Sequence, residues 1–238
     1  MTTLSESQTD TNSRQRALID ALKATDRQGY LFAKRVFDLF ICLGGLPAVL
    51  CLIAFFATAI VLDSPGSPFF IQERVGKDGR RFRMYKFRTL RCDYNEPAHR
   101  LYMQTFVLGE NDASLNSPCS TGNKPPIQND ITRVGNFLRK NSLDELPQIF
   151  NVLKGEMSLI GPRPNVTWEV EIYKEWHYAR LGVLPGITGL AQVRGRSNIT
   201  FDEIVRNDLE YIQKQSFKLD LQILWWTILG VIGGEGAG

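Results

Sequence analysis

The stretch whose reading decides the fold is Val36-Phe37-Asp38-Leu39-Phe40-Ile41-Cys42-Leu43-Gly44-Gly45-Leu46-Pro47, continued by Ala48 to Leu62. Asp38 is its only charge. From Leu39 onward apolar character is continuous, and about 20 such residues cross a bilayer. A single spanning helix is therefore the default reading. Gly44-Gly45-Leu46-Pro47 argues against it, because proline removes a helical hydrogen bond and clashes with the preceding turn. The flanks argue against it too. Lys34 and Arg35 precede the segment, and Arg74, Lys77, Arg80, Arg81, Arg83, Lys86, Arg88 and Arg91 follow it. Basic flanks stay on the cytoplasmic side, and a single span must place one of them outside. A re-entrant helix-break-helix that enters and leaves by one face satisfies both and is favoured. A kinked spanning helix is the alternative.

Residues 1–13 are polar and rich in Ser and Thr, reading as disordered rather than as a signal peptide. Residues 14–28 read as a short amphipathic helix with Leu18 and Leu22 four apart. After the apolar segment, Ser64-Pro65-Gly66-Ser67-Pro68 makes a rigid exit. Phe69 to Val75 and Arg81 to Arg88 read as two strands around the turn Gly76-Lys77-Asp78-Gly79. Lys86 and Arg88, two apart on the second strand, share a face. They form an anion cradle or, on the blander reading, a solvated edge or an attraction to anionic headgroups.

A helix is expected near 96–108, then a long loop from about 109 to 128, of the kind that is usually a lid or disordered. Arg133, Arg139 and Lys140 lead to Ser142-Leu143-Asp144-Glu145-Leu146-Pro147-Gln148. Ser142 and Glu145 have the spacing of a capping box, with both acids in the first helical turn. The same placement suits a nucleophilic carboxylate beside a phosphate. The two readings are compatible.

Beyond Gly161-Pro162-Arg163-Pro164, residues 165–181 read as one helix with Trp168, Ile172 and Trp176 on a face. Leu190 to Val193 reads as a short strand. Thr200 and Glu203 repeat the capping-box spacing before a helix to about Gln213. Leu219 to Ile232 is an apolar helix too short to span comfortably, and Trp225 and Trp226 suit a membrane interface. An ordinary core helix is the plainer alternative.

Composition narrows the chemistry. The chain has 238 residues, a net charge of +3 and 22% charged residues. These are globular values that do not by themselves call for nucleic acid. Cys42, Cys51, Cys92 and Cys119 form no CxxC pair, which fits a reducing compartment without a disulfide framework. With only His99 and His177, zinc is disfavoured, and a carboxylate-held hard ion such as Mg²⁺ is the expected metal.

Taken in order, the blocks resemble the bacterial sugar transferases, the monotopic phosphoglycosyl transferases. They are Lys34-Arg35-Val36-Phe37-Asp38; Pro68, Gln72, Arg74 and Gly76; Lys86-Phe87-Arg88-Thr89; Thr132-Arg133-Val134-Gly135; Leu138-Arg139; Ser142 to Gln148; Met157 to Pro164; Pro185-Gly186-Ile187-Thr188-Gly189; and Gly195-Arg196. Two departures stand out: Asn129-Asp130-Ile131 where the family often has Asp-Pro-Arg-Ile, and a longer 109–128 loop.

The resemblance implies an α+β, mostly helical fold. Residues 1–33, a polar N-terminal segment by composition, have no family counterpart, whereas the resemblance makes 34–62 a re-entrant membrane helix kinked at Pro47 and 63–238 a cytosolic catalytic domain. That domain carries a β-hairpin and a C-terminal interfacial helix. It implies transfer of a sugar 1-phosphate from a UDP-sugar to a polyprenyl phosphate with release of UMP, at the cytoplasmic face of a bacterial inner membrane. Membrane lipid is a partner, nucleic acid is not, and a homodimer is left open. The implied roles are Asp144 as nucleophile beside Mg²⁺, and Glu145 as acid or base. Lys86, Arg88, Arg139, Arg163, Pro164 and Arg196 are implied as phosphate- or substrate-binding residues, Arg being suited to bidentate contact. Arg196 is equally well read as structural. Rival classes are a glycosyltransferase releasing UDP and a non-catalytic membrane scaffold.

Overall fold

A computed structural model describes residues 28–91, 104–108, 131–195 and 199–233. The helix expected over 14–28, the 109–128 loop and Arg196 lie outside the described residues, apart from Gln28. Of the helix expected near 96–108, residues 104–108 are described and are helical.

The apolar segment is a single helix, α1, Gln28–Asp63, with Pro47 inside it. It is long and apolar enough to cross a membrane. The break expected at Pro47 is absent. One proline deletes one hydrogen bond, and the flanking ladder carries the helix on when packing holds both sides. That packing is visible as a stripe. Lys34, Asp38, Cys42, Ile53, Phe56 and Ile60 are buried, and Leu46 and Val49 fill the gap between Cys42 and Ile53. Steps of three and four keep these side chains on one face. The stripe lies on the domain at both ends. Near the start, Arg35 donates to the Val152 and Leu153 carbonyls at 2.6 and 3.0 Å. At the far end, Asp63 accepts from the Val134 amide at 3.0 Å. Both basic flanks therefore stay with one body, as the hairpin reading required, but through a helix laid along the domain. The opposite face is apolar and open, with Phe40 74% and Leu62 83% exposed.

The hairpin forms as the turn chemistry predicts. Strands β1 (Phe69–Val75) and β2 (Arg81–Phe87) pair antiparallel, with Phe70 opposite Lys86. The turn uses positive φ at Asp78 and Gly79. Helix α2 (Arg133–Lys140) starts at Thr132, whose hydroxyl accepts from the Gly135 amide. A 3₁₀ segment, Leu143–Gln148, runs into the short helix α3, Ile149–Lys154.

Strand β3 (Ser158–Ile160) pairs in parallel with β4 (Gly186–Thr188). Their backbones approach so closely that a Cβ on Gly186 would lie 2.1 Å from the Gly161 nitrogen. Between them lie α4 (Thr167–Glu171) and a 3₁₀ segment, Glu175–Gly182. This corrects the single helix expected over 165–181. Tyr173 turns into the core, and the Lys174 amide donates to His177 Nδ1 at 3.2 Å, restarting the coil at Lys174. The strand expected at Leu190 is also corrected: Leu190–Gly195 is a helix, α5, with Leu190 and Ala191 buried. Its one-sided burial has helical rather than alternating period.

Helix α6 (Phe201–Lys214) carries the expected capping box. The Thr200 amide donates to Glu203 Oε2 at 2.8 Å, and the Glu203 amide donates back to the Thr200 hydroxyl. Helix α7 (Phe217–Ile232) exposes Trp225, Trp226, Ile228, Leu229 and Ile232.

Three cores follow. Tyr211, Val205, Ile223 and Leu190 join α5, α6 and α7. Cys42, Met84, Val152 and Met157 join α1, the hairpin and α3. Ile53, Phe56, Ile60, Phe87 and Leu138 join the second half of α1 to β2 and α2. Each fully buried side chain of this size stabilises by about 1.5–3 kcal/mol relative to exposure. The apolar segment is thus also a wall of the folded domain.

Candidate active site

Lys86 sits near the end of β2, and the dyad sits in the 3₁₀ segment packed against that strand. Asn151, the third residue of α3, fixes the two together. Its amide nitrogen donates to the Arg83 carbonyl at 2.7 Å, and its oxygen accepts from the Tyr85 amide at 3.1 Å. Asn151 is fully buried.

At the start of the segment the sequence expectation fails in one respect. Ser142 caps nothing through its side chain. It adopts a left-handed conformation, φ 53°, unusual for a residue other than glycine. Glu145 is drawn away from the capping position by cations. Lys86 Nζ lies 2.7 Å from Glu145 Oε1, and Arg163 Nη1 lies 2.9 Å from the same oxygen. Two charge-assisted contacts outweigh one to a backbone amide. With a 3₁₀ segment followed by a six-residue helix, the dipole is a minor source of positive charge, and the side-chain cations are the major one.

Asp144 is placed differently. Its nearest cation is Lys86, at 3.7 Å from Oδ2, and its side chain is only 15% exposed. Burial pushes its carboxyl above the ordinary aspartate value, and Lys86 offsets this only in part. Glu145 is buried as well, but Lys86 and Arg163 override the desolvation and hold it well below its usual range, at about 2. Burial lowers the Lys86 ammonium against the pull of Glu145, whereas Glu145 raises the Arg163 guanidinium. Two adjacent carboxylates are thereby driven apart in proton affinity, the pattern that separates chemical roles.

Of the other expected residues, Arg139 faces the dyad. Its Nε donates to the Thr89 hydroxyl at 3.0 Å, burial lowers its guanidinium, and Asp144 is its nearest electrostatic support. Pro164 presents its carbonyl to Arg74 Nη1 at 3.1 Å. Arg88 does not share the cradle with Lys86. It lies just past the strand end and donates to the Pro65 and Ser64 carbonyls at 2.8 and 2.5 Å, bracing the exit from α1. Arg196 lies outside the described residues.

Sequence reasoning passed over Arg74 as a site-facing group. Burial lowers its guanidinium to about 10, and Glu145 and Arg163 are among the charges it feels. Its i, i+2 relation to Gln72, to which it also donates, was the available signal.

Among the described residues, no group of three or more His, Cys, Asp or Glu could hold a metal. A Mg²⁺ ion that takes one protein carboxylate and completes its shell from phosphate and water still fits. Asp144, less tightly paired than Glu145, is the better donor for it.

The chain belongs to the bacterial sugar transferase family, whose model matches residues 29–234. It is 40% identical over 213 residues to the galactosyl transferase CpsE of Streptococcus agalactiae serotype III, covering 89% of this chain and 44% of that protein. It is 38% identical over 210 residues to the uncharacterized sugar transferase EpsL of Bacillus subtilis, covering 87% of this chain and 90% of that one. A UDP-glucose:undecaprenyl-phosphate glucose-1-phosphate transferase of Xanthomonas campestris pv. campestris is 36% identical over 225 residues, 89% of this chain and 41% of that protein. The chain thus spans less than half the length of several curated relatives it matches and nearly all of EpsL.

Proposed function

We propose that this chain is a phosphoglycosyl transferase that moves a sugar 1-phosphate from a UDP-sugar to a polyprenyl phosphate such as undecaprenyl phosphate. The step would begin assembly of an exopolysaccharide, O-antigen or other glycoconjugate. The relatives' names support the two substrates. The observation that carries the chemistry is the split dyad: Glu145 is clamped by two cations at 2.7 and 2.9 Å, while buried Asp144 has only the longer 3.7 Å pair with Lys86.

In this reading the Asp144 carboxylate attacks the phosphorus that bears the sugar. The bond from that phosphorus to the UMP oxygen breaks, and UMP leaves with the electron pair. A phosphosugar ester on Asp144 remains. An oxygen of the lipid phosphate then attacks the same phosphorus and frees Asp144. Burial without tight pairing suits a nucleophile, since a poorly solvated carboxylate is more reactive than one held in close ion pairs. Lys86, Arg163 and Arg139 supply positive charge for the diphosphate oxygens. Glu145, held ionised, keeps Lys86 and Arg163 in place. Held this low, it is a weak base and at neutral pH has no proton to donate, so its acid or base role would require substrate to draw Lys86 or Arg163 away from it. Bound Mg²⁺, held by Asp144 with the diphosphate, would supply charge neutralisation of the leaving group.

The open apolar faces of α1 and α7 are read as the membrane-facing surface. They would hold the domain on the cytoplasmic face of a bacterial membrane, where a lipid phosphate and a soluble nucleotide sugar meet. The test is nucleotide release from a panel of UDP-sugars with undecaprenyl phosphate and Mg²⁺. UMP release supports the reading. UDP release would assign a glycosyltransferase, and absence of either would favour a scaffold.

A further inference from the structure

The turn that carries Arg163 is held from behind by a buried set of groups that touches neither dyad carboxylate. At its centre is Arg180, in the 3₁₀ segment Glu175–Gly182 and 3% exposed. Its Nη2 donates to the backbone carbonyl of Arg163 at 3.1 Å. Its Nη1 donates to the Tyr173 hydroxyl at 3.0 Å and to Asn165 Oδ1. Asp208, from α6 and 1% exposed, lies 2.6 Å from Nη2 as an ion-pair partner. Two other elements grip the same turn. The Val75 amide donates to the Asn165 carbonyl at 2.9 Å, and the Gly186 amide donates to the Pro162 carbonyl at 2.9 Å.

A buried ion pair is a poor device for stability alone, since a well-packed apolar pair of the same volume often does as well or better. What an apolar pair cannot do is fix three acceptors at set angles. The planar guanidinium does that, reaching Arg163 O, Asn165 Oδ1 and the Tyr173 hydroxyl from one rigid fork. The consequence is transmitted through a short path. Arg180 fixes the Arg163 backbone, and the Arg163 guanidinium emerges 43% exposed to meet Glu145 at 2.9 Å, which in turn meets Lys86 at 2.7 Å.

We infer that Arg180, charge-balanced by Asp208, is a positioning residue that sets Arg163 for contact with the substrate diphosphate. The inference rests on the phosphoglycosyl transfer reading for the role of Arg163. Arg180 itself touches no substrate.

The test is a double-mutant cycle on the full chain. Arg180→Lys keeps the charge beside Asp208 but presents a point donor that cannot satisfy three acceptors. It should lower kcat/KM for the UDP-sugar by about tenfold to a hundredfold, the scale of a small misplacement of a binding group. In an Arg163→Ala background the same change should cost less than about twofold, because the group being positioned is already gone. Asp208→Asn, which keeps the shape, is the milder second variant should Arg180→Lys fail to fold. It should show a smaller loss with the same dependence on Arg163. UDP affinity measured by calorimetry is read in parallel, so the cycle stands even if wild-type protein releases no UMP, an outcome that would sink the reaction reading alone. Equal losses with and without Arg163, in activity and in UDP binding, would make Arg180 merely structural and overturn the inference. So would the absence of any loss.

Discussion

Adjacent residues Asp144 and Glu145 should respond to charge removal in opposite ways. Glu145→Gln takes away the anion that Lys86 and Arg163 share at 2.7 and 2.9 Å. Removing one partner from a fully buried pair costs about 3–5 kcal/mol. Arg163 is 43% exposed, so water can replace much of its lost contact, whereas Lys86 is only 13% exposed. Asp144 remains 3.7 Å from Lys86 as a weaker anion. A loss of about 2–3 kcal/mol results, and for a chain of this size about 1 kcal/mol moves Tm by roughly 2–4 °C. Glu145→Gln should therefore lower Tm by about 5–10 °C.

Asp144→Asn has the other sign. Burial raises the Asp144 carboxyl, so at neutral pH the folded state holds an ionised group that the unfolded chain would hold more comfortably. Neutralising it removes that penalty and the repulsion from Glu145, and forfeits the 3.7 Å pair with Lys86, which Glu145 still holds at 2.7 Å. Stability should stay level or rise, within about 1 kcal/mol, while UMP release is abolished. The assay is thermal unfolding of both variants in one detergent at pH 7, beside nucleotide release. Equal destabilisation of the two, or a larger loss for Asp144→Asn, would refute the reading of the dyad.

Other expectations follow from particular contacts. Arg88→Ala removes the donors that reach the Ser64 and Pro65 carbonyls and should lower stability by about 1–3 kcal/mol while leaving KM for the UDP-sugar unchanged, as unfolding and initial-rate measurements can check. His177 is buried, with Nδ1 accepting from the Lys174 amide and Nε2 3.0 Å from Asp202, and burial lowers its imidazole to about 4. The unfolded chain takes up this proton first, so stability should be full above about pH 6.5 and fall towards pH 4, by up to about 3 kcal/mol. His177→Gln should flatten that slope in a pH series of urea melts. Replacing Phe40 and Leu62, or Trp225 and Ile232, by Ser on the open apolar faces should shift the protein from vesicles to supernatant in flotation without changing its fold.

The parts of this fold legible in the sequence were those set by local chemistry. The turn at Gly76–Gly79 gave the hairpin within one residue, because its left-handed positions need residues that tolerate them. The Thr200–Glu203 pair gave a true capping box, with the Glu203 carboxylate accepting from the Thr200 amide at 2.8 Å. The same spacing at Ser142–Glu145 misled, because Lys86 and Arg163 arrive from elements 59 and 18 residues away and take the carboxylate. Leu190–Val193 misled because a run of four residues fits a buried strand or one helical turn equally well. Pro47 reads locally as a break, yet the helix runs through it, with Leu46 and Val49 on either side packed against the domain. Lys86, Asp144, Glu145, Arg139 and Arg163 were all visible as candidates. Arg74 and Arg180 were not, because their importance lies in which backbone carbonyls they reach.

In the proposed mechanism a carboxylate oxygen of Asp144 takes the phosphosugar. The direct measurement is a single-turnover reaction with a UDP-sugar labelled in the sugar, Mg²⁺ and no lipid acceptor, followed by quenching and intact-protein mass spectrometry. Wild-type enzyme should release up to one UMP per chain and gain the mass of one sugar phosphate, mapped to the peptide containing Asp144, and Asp144→Asn should do neither. UMP release that waits for undecaprenyl phosphate, with no mass gain on the wild-type chain, would contradict the covalent mechanism.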